Sequence, residues 1–194
     1  MSPLRTESHL QLGKTLLQSW PQASLSQRVA FLLGCIEPDL NAFTYLRGFL
    51  RDGHARGHNF HNILPSMIHL AARLEVSGLC ATCDAYRLGK LMHYVVDAFT
   101  YTHNEAFQGS IAAHNRYEKK LEAHFLHMLS SQGAVPSPVR GGFLTLLCDQ
   151  HQHYLNETPG IDTDTRFALH VAPLAFSLFV LRRNAFQKLM EEIA

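Results

Sequence analysis

Apolar residues recur every three or four positions along almost the whole chain, and this period is the feature that most constrains its fold. Alternating runs rich in Val, Ile and Thr, which are typical of half-buried strands, are missing. The chain has 194 residues, of which 46% are hydrophobic and 17% charged, so it can bury one sizeable core. No linker interrupts the pattern. The sequence therefore predicts an all-α fold, a multi-helix bundle that forms a single domain over residues 1–194.

Capping residues and prolines divide this pattern into predicted helices. The first helix is predicted from Ser8, which forms a capping-box pair with Gln11, to Trp20. A second is predicted from Ser26 to about Gly34. Pro38 favours a turn or a new helix start, which places Asp39 at the entrance of a third helix. Further predicted elements are a helix over 39–51, a loop over 53–57 and a helix that follows the loop and ends at residue 75. After these we expect helices over 82–102 and 110–131, an N-cap at residue 137 and a last helix that begins near residue 162.

Charge and composition argue against several classes of protein. The formal net charge is +1 and no Lys- or Arg-rich run occurs, so the sequence carries no strong nucleic-acid signal. The first residues include Glu7 and lack the basic and apolar segments of a signal peptide, so we expect a cytoplasmic protein. The longest apolar stretch, residues 171–181, contains Pro173 and is too short for a transmembrane segment. The oligomeric state is not indicated.

Thirteen histidines stand out beside only sixteen acidic residues, and two of them begin similar motifs. His93 precedes Asp97 by four residues, and His114 precedes Glu118 by the same spacing, so on helices each pair lies on one face. His103 lies in the connection between these two predicted helices. One such pair also fits an ordinary surface ion pair, but two in succession favour a metal centre. Imidazole nitrogens mixed with carboxylate oxygens suit zinc.

These motifs resemble the zinc-dependent phospholipase C family. Residues 88–104 resemble the core motif of that family, and residues 113–118 resemble its following His-x-x-x-Glu helix. Upstream, residues 34–39 resemble its Gly-x-x-x-Pro-Asp turn, residues 57–59 its loop histidine, and residues 8–13 its N-terminal histidine. The motifs occur in the expected order over about residues 8–125, whereas the C-terminal third shows no resemblance.

The resemblance implies a helical bundle with a trinuclear zinc site, a fold shared with single-strand-specific zinc nucleases. Transferred by position, the ligand sets are His58, His93 and Asp97 for one zinc, His103, His114 and Glu118 for a second, and His9 with Asp97 as a bridge for a third.

Two features of these ligand sets stay open. In secreted relatives a processed N-terminal residue completes the third site, whereas several residues precede His9 here, so we expect two or three zinc ions. The loop also offers His54 and His61 as alternatives to His58. The remaining histidines are interpreted as core or surface residues: His69, His124, His127, His151, His153 and His170.

The activity that the resemblance implies is hydrolysis of a phosphate ester by a metal-activated water, with Asp39 as the catalytic base. The substrate is a phosphate ester, with a phospholipid at a membrane surface as one candidate. A zinc-dependent nuclease or phosphodiesterase acting on nucleotides is an alternative, because the fold does not choose between them. A non-catalytic helical domain with structural zinc is the other alternative.

Overall fold

The computed structural model describes residues 5–40, 59–132 and 141–193, and within these ranges the side chains of residues 6–181. Every regular element in these ranges is helical, which confirms the predicted all-α class. The elements are α1 (Arg5–Leu17), α2 (Leu25–Leu40), α3 (Phe60–Ser77), α4 (Thr82–Ala98), a 3-10 turn (Tyr101–His103), α5 (Ile111–Gln132), α6 (Phe143–Leu155) and α7 (Ile161–Ile193). Several predicted features lie outside the described residues. They are the predicted helix over 39–51 after its first two residues, the loop over 53–57, the N-cap at 137, and the histidines His54 and His58.

The predicted end of the second helix at Gly34 and the predicted helix start at Asp39 are both wrong, because α2 continues through Gly34 and Pro38 to Leu40. Gly34 instead marks the closest contact between α2 and α4. A Cβ added at Gly34 would collide with the carbonyl oxygen of Tyr86, and one added at Gly89 would collide with the carbonyl oxygen of Phe31. The two glycines therefore let the two helix backbones approach more closely than any side chain permits.

The predicted end of the fourth described helix at Thr102 is also wrong. Helix α4 stops at Ala98, and the chain turns through the 3-10 segment that follows. The side chain of Asn104 donates to the carbonyl oxygens of Ala98, at 3.2 Å, and Thr100, at 2.8 Å. Because the last carbonyls of a helix have no partner within it, the bond to Ala98 stabilises the early end of α4, and the bond to Thr100 stabilises the turn that follows. The predicted helix over 110–131 is confirmed to within one residue.

Helix α1 begins three residues before the predicted start and ends three residues before the predicted end. Ser8 therefore lies inside the helix and is not its N-cap. Its hydroxyl donates to Oε1 of Glu122 on α5 over 3.4 Å. After Leu17 the chain continues in turns, with the N–H of Trp20 donating to the carbonyl of Leu17.

Helix α4 lies at the centre of the bundle and contacts α1, α2, α3 and α7. Nearly all of its side chains from Leu88 onward are buried. Helix α7 adds Phe176, whose ring meets Phe31 of α2 edge to face at 5.5 Å. Residues on the second half of α4, including His93 and Asp97, are thus held in place by the packing of the surrounding helices.

Among the described residues, one segment, Ile161–Leu181 of α7, is long and apolar enough to cross a bilayer. However, 72% of its most apolar window is buried inside the structure. This burial is typical of a core helix that packs against other helices of the same domain.

Candidate metal centre

Histidines and carboxylates from several helices converge on one open cleft. Helices α1, α2, α4, α5 and α7 and the 3-10 turn all contribute to its lining. Six of the seven predicted ligands lie in the described residues, and all six either line this cleft or contact a residue that does. The seventh, His58, lies outside the described residues.

The first group consists of His9 on α1, Asp39 on α2 and His93 on α4. One potential ligand atom from each lies within 4.8 Å of the other two. Nε2 of His93 is 3.8 Å from Oδ1 of Asp39, and the rings of His9 and His93 stack with their centroids 3.9 Å apart. The group can therefore surround a single cation.

A hydrogen bond to the backbone of α2 fixes the orientation of the His93 ring. Nδ1 of His93 lies 2.9 Å from the carbonyl oxygen of Cys35. A carbonyl only accepts, so Nδ1 carries the hydrogen, and in the neutral ring Nε2 bears the lone pair. Nε2 faces the carboxylates of the cleft. This is the arrangement in which a histidine serves as a metal ligand.

The second group consists of His103 in the 3-10 turn with His114 and Glu118 on α5. Oε1 of Glu118 lies 2.8 Å from Nε2 of His103 and 2.7 Å from Nε2 of His114. The helical spacing of His114 and Glu118 brings these two side chains together, as the sequence predicts, while the turn brings in His103. The three donor atoms again surround one position.

Asp97 lies between the two groups. Its Oδ1 is 3.4 Å from Nε2 of His9, and its Oδ2 is 3.1 Å from Nε2 of His93. The same Oδ2 is 3.6 Å from Nδ1 of His103. Asp97 therefore reaches both groups. His9, for which the resemblance implies a separate third zinc, lies in the same group as His93.

The charges of the cleft hold the carboxylates of Asp97 and Glu118 ionised. Burial lowers the pKa of His93, but the negative charges of Asp97 and Asp39 outweigh burial and raise it to about 9. Burial raises the pKa of Asp97, and the charges of His93 and His103 bring it well below its usual range. Burial likewise raises the pKa of Glu118, and hydrogen bonds from both histidines of its group reduce it to about 2. A divalent cation would displace the imidazole protons.

The donor atoms fit zinc. Each group offers imidazole nitrogens together with a carboxylate oxygen, which zinc accepts in tetrahedral sites. Oδ2 of Asp39 is buried and accepts no hydrogen bond from the described residues. A buried carboxylate oxygen in that condition is costly unless a cation or a water approaches it. Asp39 therefore lies where both a ligand and a base would act, and its role as base stays a prediction.

The sequence analysis missed two acidic residues of the cleft, Glu122 and Asp164. Glu122 follows Glu118 by four residues on the same face of α5, so helical spacing was a signal that would have found it. Asp164, at 1% exposure, lies in the first turn of α7 and belongs to no motif. Only the folded chain shows that it faces this cleft.

Two of the other histidines belong to neither candidate metal group among the described residues. His151 is buried, with Nε2 2.9 Å from Oδ1 of Asn104 and its ring stacked on Phe60 at 3.5 Å. His61, the described alternative to His58, is exposed in the first turn of α3 and belongs to neither group among the described residues.

An all-helical domain with two histidine and carboxylate groups on one cleft defines a candidate multinuclear metalloprotein. The family model described as zinc dependent phospholipase C matches residues 8–161. Because this match spans most of the chain, the protein belongs to the zinc-dependent phospholipase C family. The predicted family is thereby confirmed, over a longer stretch than the motifs cover. No curated protein and no solved structure matches the chain.

Proposed function

We propose that the protein is a zinc-dependent phosphoric ester hydrolase of the phospholipase C type, with phospholipid as its substrate. The observation that carries this proposal is the convergence of two metal-binding groups on one open cleft, with Asp97 between them. Structural zinc sites are closed by four protein ligands, whereas each of these groups offers three candidate ligands within the part of the chain that the structure describes. An open coordination position beside a cleft is typical of catalytic zinc. The family match supports both the metal and the substrate class.

The side chains of the cleft have separate parts in the proposed hydrolysis. His9 and His93 would hold one zinc ion, with Asp39 beside it, and His103, His114 and Glu118 would hold a second, while Asp97 would contact both groups. Zinc bound there would neutralise charge on the phosphoryl oxygens and lower the pKa of a coordinated water to about 7. The ionised carboxylates balance the charge of the cations inside the domain.

Asp39 is the residue that we propose as base. Its buried Oδ2 accepts no hydrogen bond from the described residues, so it can orient the attacking water and take its proton. The Asp39→Asn variant keeps a neutral oxygen but cannot accept the proton. We expect turnover to fall by about 10² to 10⁴-fold with the zinc content unchanged. Wild-type turnover would contradict the role, and loss of zinc would show that Asp39 is a ligand instead.

The whole proposal is tested by metal content and lipid hydrolysis measured on the same preparation. Zinc per chain is quantified, and phosphatidylcholine vesicles are assayed for release of a phosphorylated head group. We expect hydrolysis that a chelator abolishes and added zinc restores. The His114→Ala variant is expected to be inactive, whereas His153→Ala, which removes an exposed histidine of α6, is the matched control. A zinc-loaded chain that releases no head group from any phospholipid would overturn the proposal.

One observation favours a nucleotide phosphodiester as a second candidate substrate. The half-buried ring of Phe107 meets His114 at 5.9 Å and the ring of Tyr101 at 5.5 Å, so aromatic surface adjoins the second group. Aromatic rings of this kind stack on bases in single-stranded nucleic acid. Cleavage of a single-stranded oligonucleotide, without head-group release, would favour this candidate. Unfolding on chelation, with no hydrolysis of either substrate beforehand, would favour structural zinc.

A further inference from the structure

The carboxylate of Asp164 accepts three hydrogen bonds from three different elements. Oδ2 accepts from the backbone N–H of Tyr101 at 2.8 Å and from the hydroxyl of Tyr117 at 2.8 Å. Oδ1 accepts from the hydroxyl of Tyr154 at 2.8 Å. Asp164 is 1% exposed and lies on α7, beyond the matched residues 8–161. One buried side chain thus connects the 3-10 turn, α5, α6 and α7.

Two of the three hydrogen-bond donors lie close in the chain to predicted ligands of the second group. Tyr101 begins the 3-10 turn whose last residue is His103. Tyr117 immediately precedes Glu118 on α5, and the rings of Tyr101 and Tyr117 meet edge to face at 5.7 Å. The same carboxylate oxygen, Oδ2, therefore holds both the turn and the helix that present donor atoms to one cation. The first group has no hydrogen bond of this kind to Asp164 among the described residues.

We propose that Asp164 is a positioning residue for the second metal group: its carboxylate fixes the distance between the turn that carries His103 and the helix that carries His114 and Glu118. The inference rests on the proposed metal-dependent function. It also gives α7 a part in the site, in addition to its part in the core. On this proposal Asp164 acts through the two tyrosines.

The physical reason is that a short turn does not fix its own orientation. The 3-10 segment has three residues and its backbone bonds are poorer than those of an α-helix. A metal that binds loosely held ligands must order them, and the free energy of that ordering reduces its affinity. Outer hydrogen bonds that hold ligands in place typically contribute 10- to 100-fold in metal affinity.

The test measures zinc affinity at each group separately, by competition with a chromogenic chelator. His114→Ala identifies the zinc equivalent bound by the second group, and His9→Ala identifies that of the first. In Asp164→Asn we expect the second-group affinity to fall by about tenfold or more, with the first-group affinity unchanged within about twofold. In Tyr117→Phe we expect a smaller loss, about fivefold, at the same group only.

Tyr154→Phe is the matched control. It removes a bond to the same buried carboxylate, but Tyr154 lies on α6, which presents no ligand to either group. We expect this variant to lower the stability to urea and to leave both zinc affinities unchanged. Equal losses at both groups, or an equal loss in Tyr154→Phe, would overturn the inference, because they would show general destabilisation. Tyr117→Phe keeps the test decisive if Asp164→Asn does not fold.

Failure of the inference is distinguishable from failure of the proposed function. A wild-type chain that binds no zinc would overturn the metal centre, and the inference with it. A wild-type chain that binds zinc at both groups, with an Asp164→Asn variant of equal affinity, would overturn the positioning role alone.

Discussion

The two candidate metal groups are constructed in different ways, although both combine imidazole and carboxylate. The first draws its side chains from three separate helices, and His93 within it is 1% exposed. The second draws on one helix and a short turn, and the side chain of His114 is 24% exposed. Helix packing positions the first group, whereas side-chain hydrogen bonds position the turn of the second. Changes in the core and changes in the polar network should therefore affect different metal ions.

The largest effect is expected at Asp97, because it reaches both groups. Asp97→Asn keeps the shape of the side chain and removes the charge that faces His9, His93 and His103. We expect loss of zinc from both groups and a fall in turnover of about 10³-fold or more, since metal catalysis supplies several kcal/mol. Zinc quantification and lipid hydrolysis check this. Retention of zinc at one group would show that Asp97 belongs to the other alone.

The next largest effect is expected from a change in the helix core that should weaken the first group more than the second. Gly34→Ala places a methyl group against the backbone of α4 at Tyr86, where neither side can yield easily. We expect a loss of about 3 kcal/mol in the free energy of unfolding. The affinity of the first group should fall as well, because α2 carries Asp39 and α4 carries His93. Urea denaturation and the two zinc affinities are the measurements.

The matched control for this variant is Gly142→Ala, since a Cβ there meets no atom within 4 Å. It should leave stability within about 0.5 kcal/mol. If Gly34→Ala weakened the second group as much as the first, the proposed separation between core and network would be wrong.

Features that depend on local spacing could be predicted from the sequence. The helical period predicts the class of fold, and the spacing of His114 and Glu118 predicts that their side chains meet. Contacts between residues that are far apart in the sequence leave no such local pattern. The role of Gly34 depends on where the backbone of α4 lies. Asp164 accepts from residues 63, 47 and 10 positions away in the chain.

The smallest effect concerns pH and the buried histidines. In the metal-free protein, the pKa of His93 is about 9 when folded, above an unfolded value of about 6.5. The stability that this contributes is fully present below about pH 6.5 and is lost as the pH rises through about 9. We expect the chelated protein to lose stability to urea, on the order of 2 kcal/mol, over this interval. Zinc-loaded protein should not show this loss, because a cation replaces the proton.

His151 provides the contrast that makes this pH dependence specific. Burial lowers the pKa of His151 to about 4, since its ring packs on Phe60 and no carboxylate of the described residues pairs with it. Its folded form binds fewer protons than its unfolded form, so its contribution is lost as the pH falls from about 6.5 towards 4. A loss of stability between pH 6.5 and 9 that persists with zinc bound would contradict the assignment to His93. Since His151 titrates only on the acid side, it cannot produce the alkaline loss, and the two histidines are distinguished by direction alone.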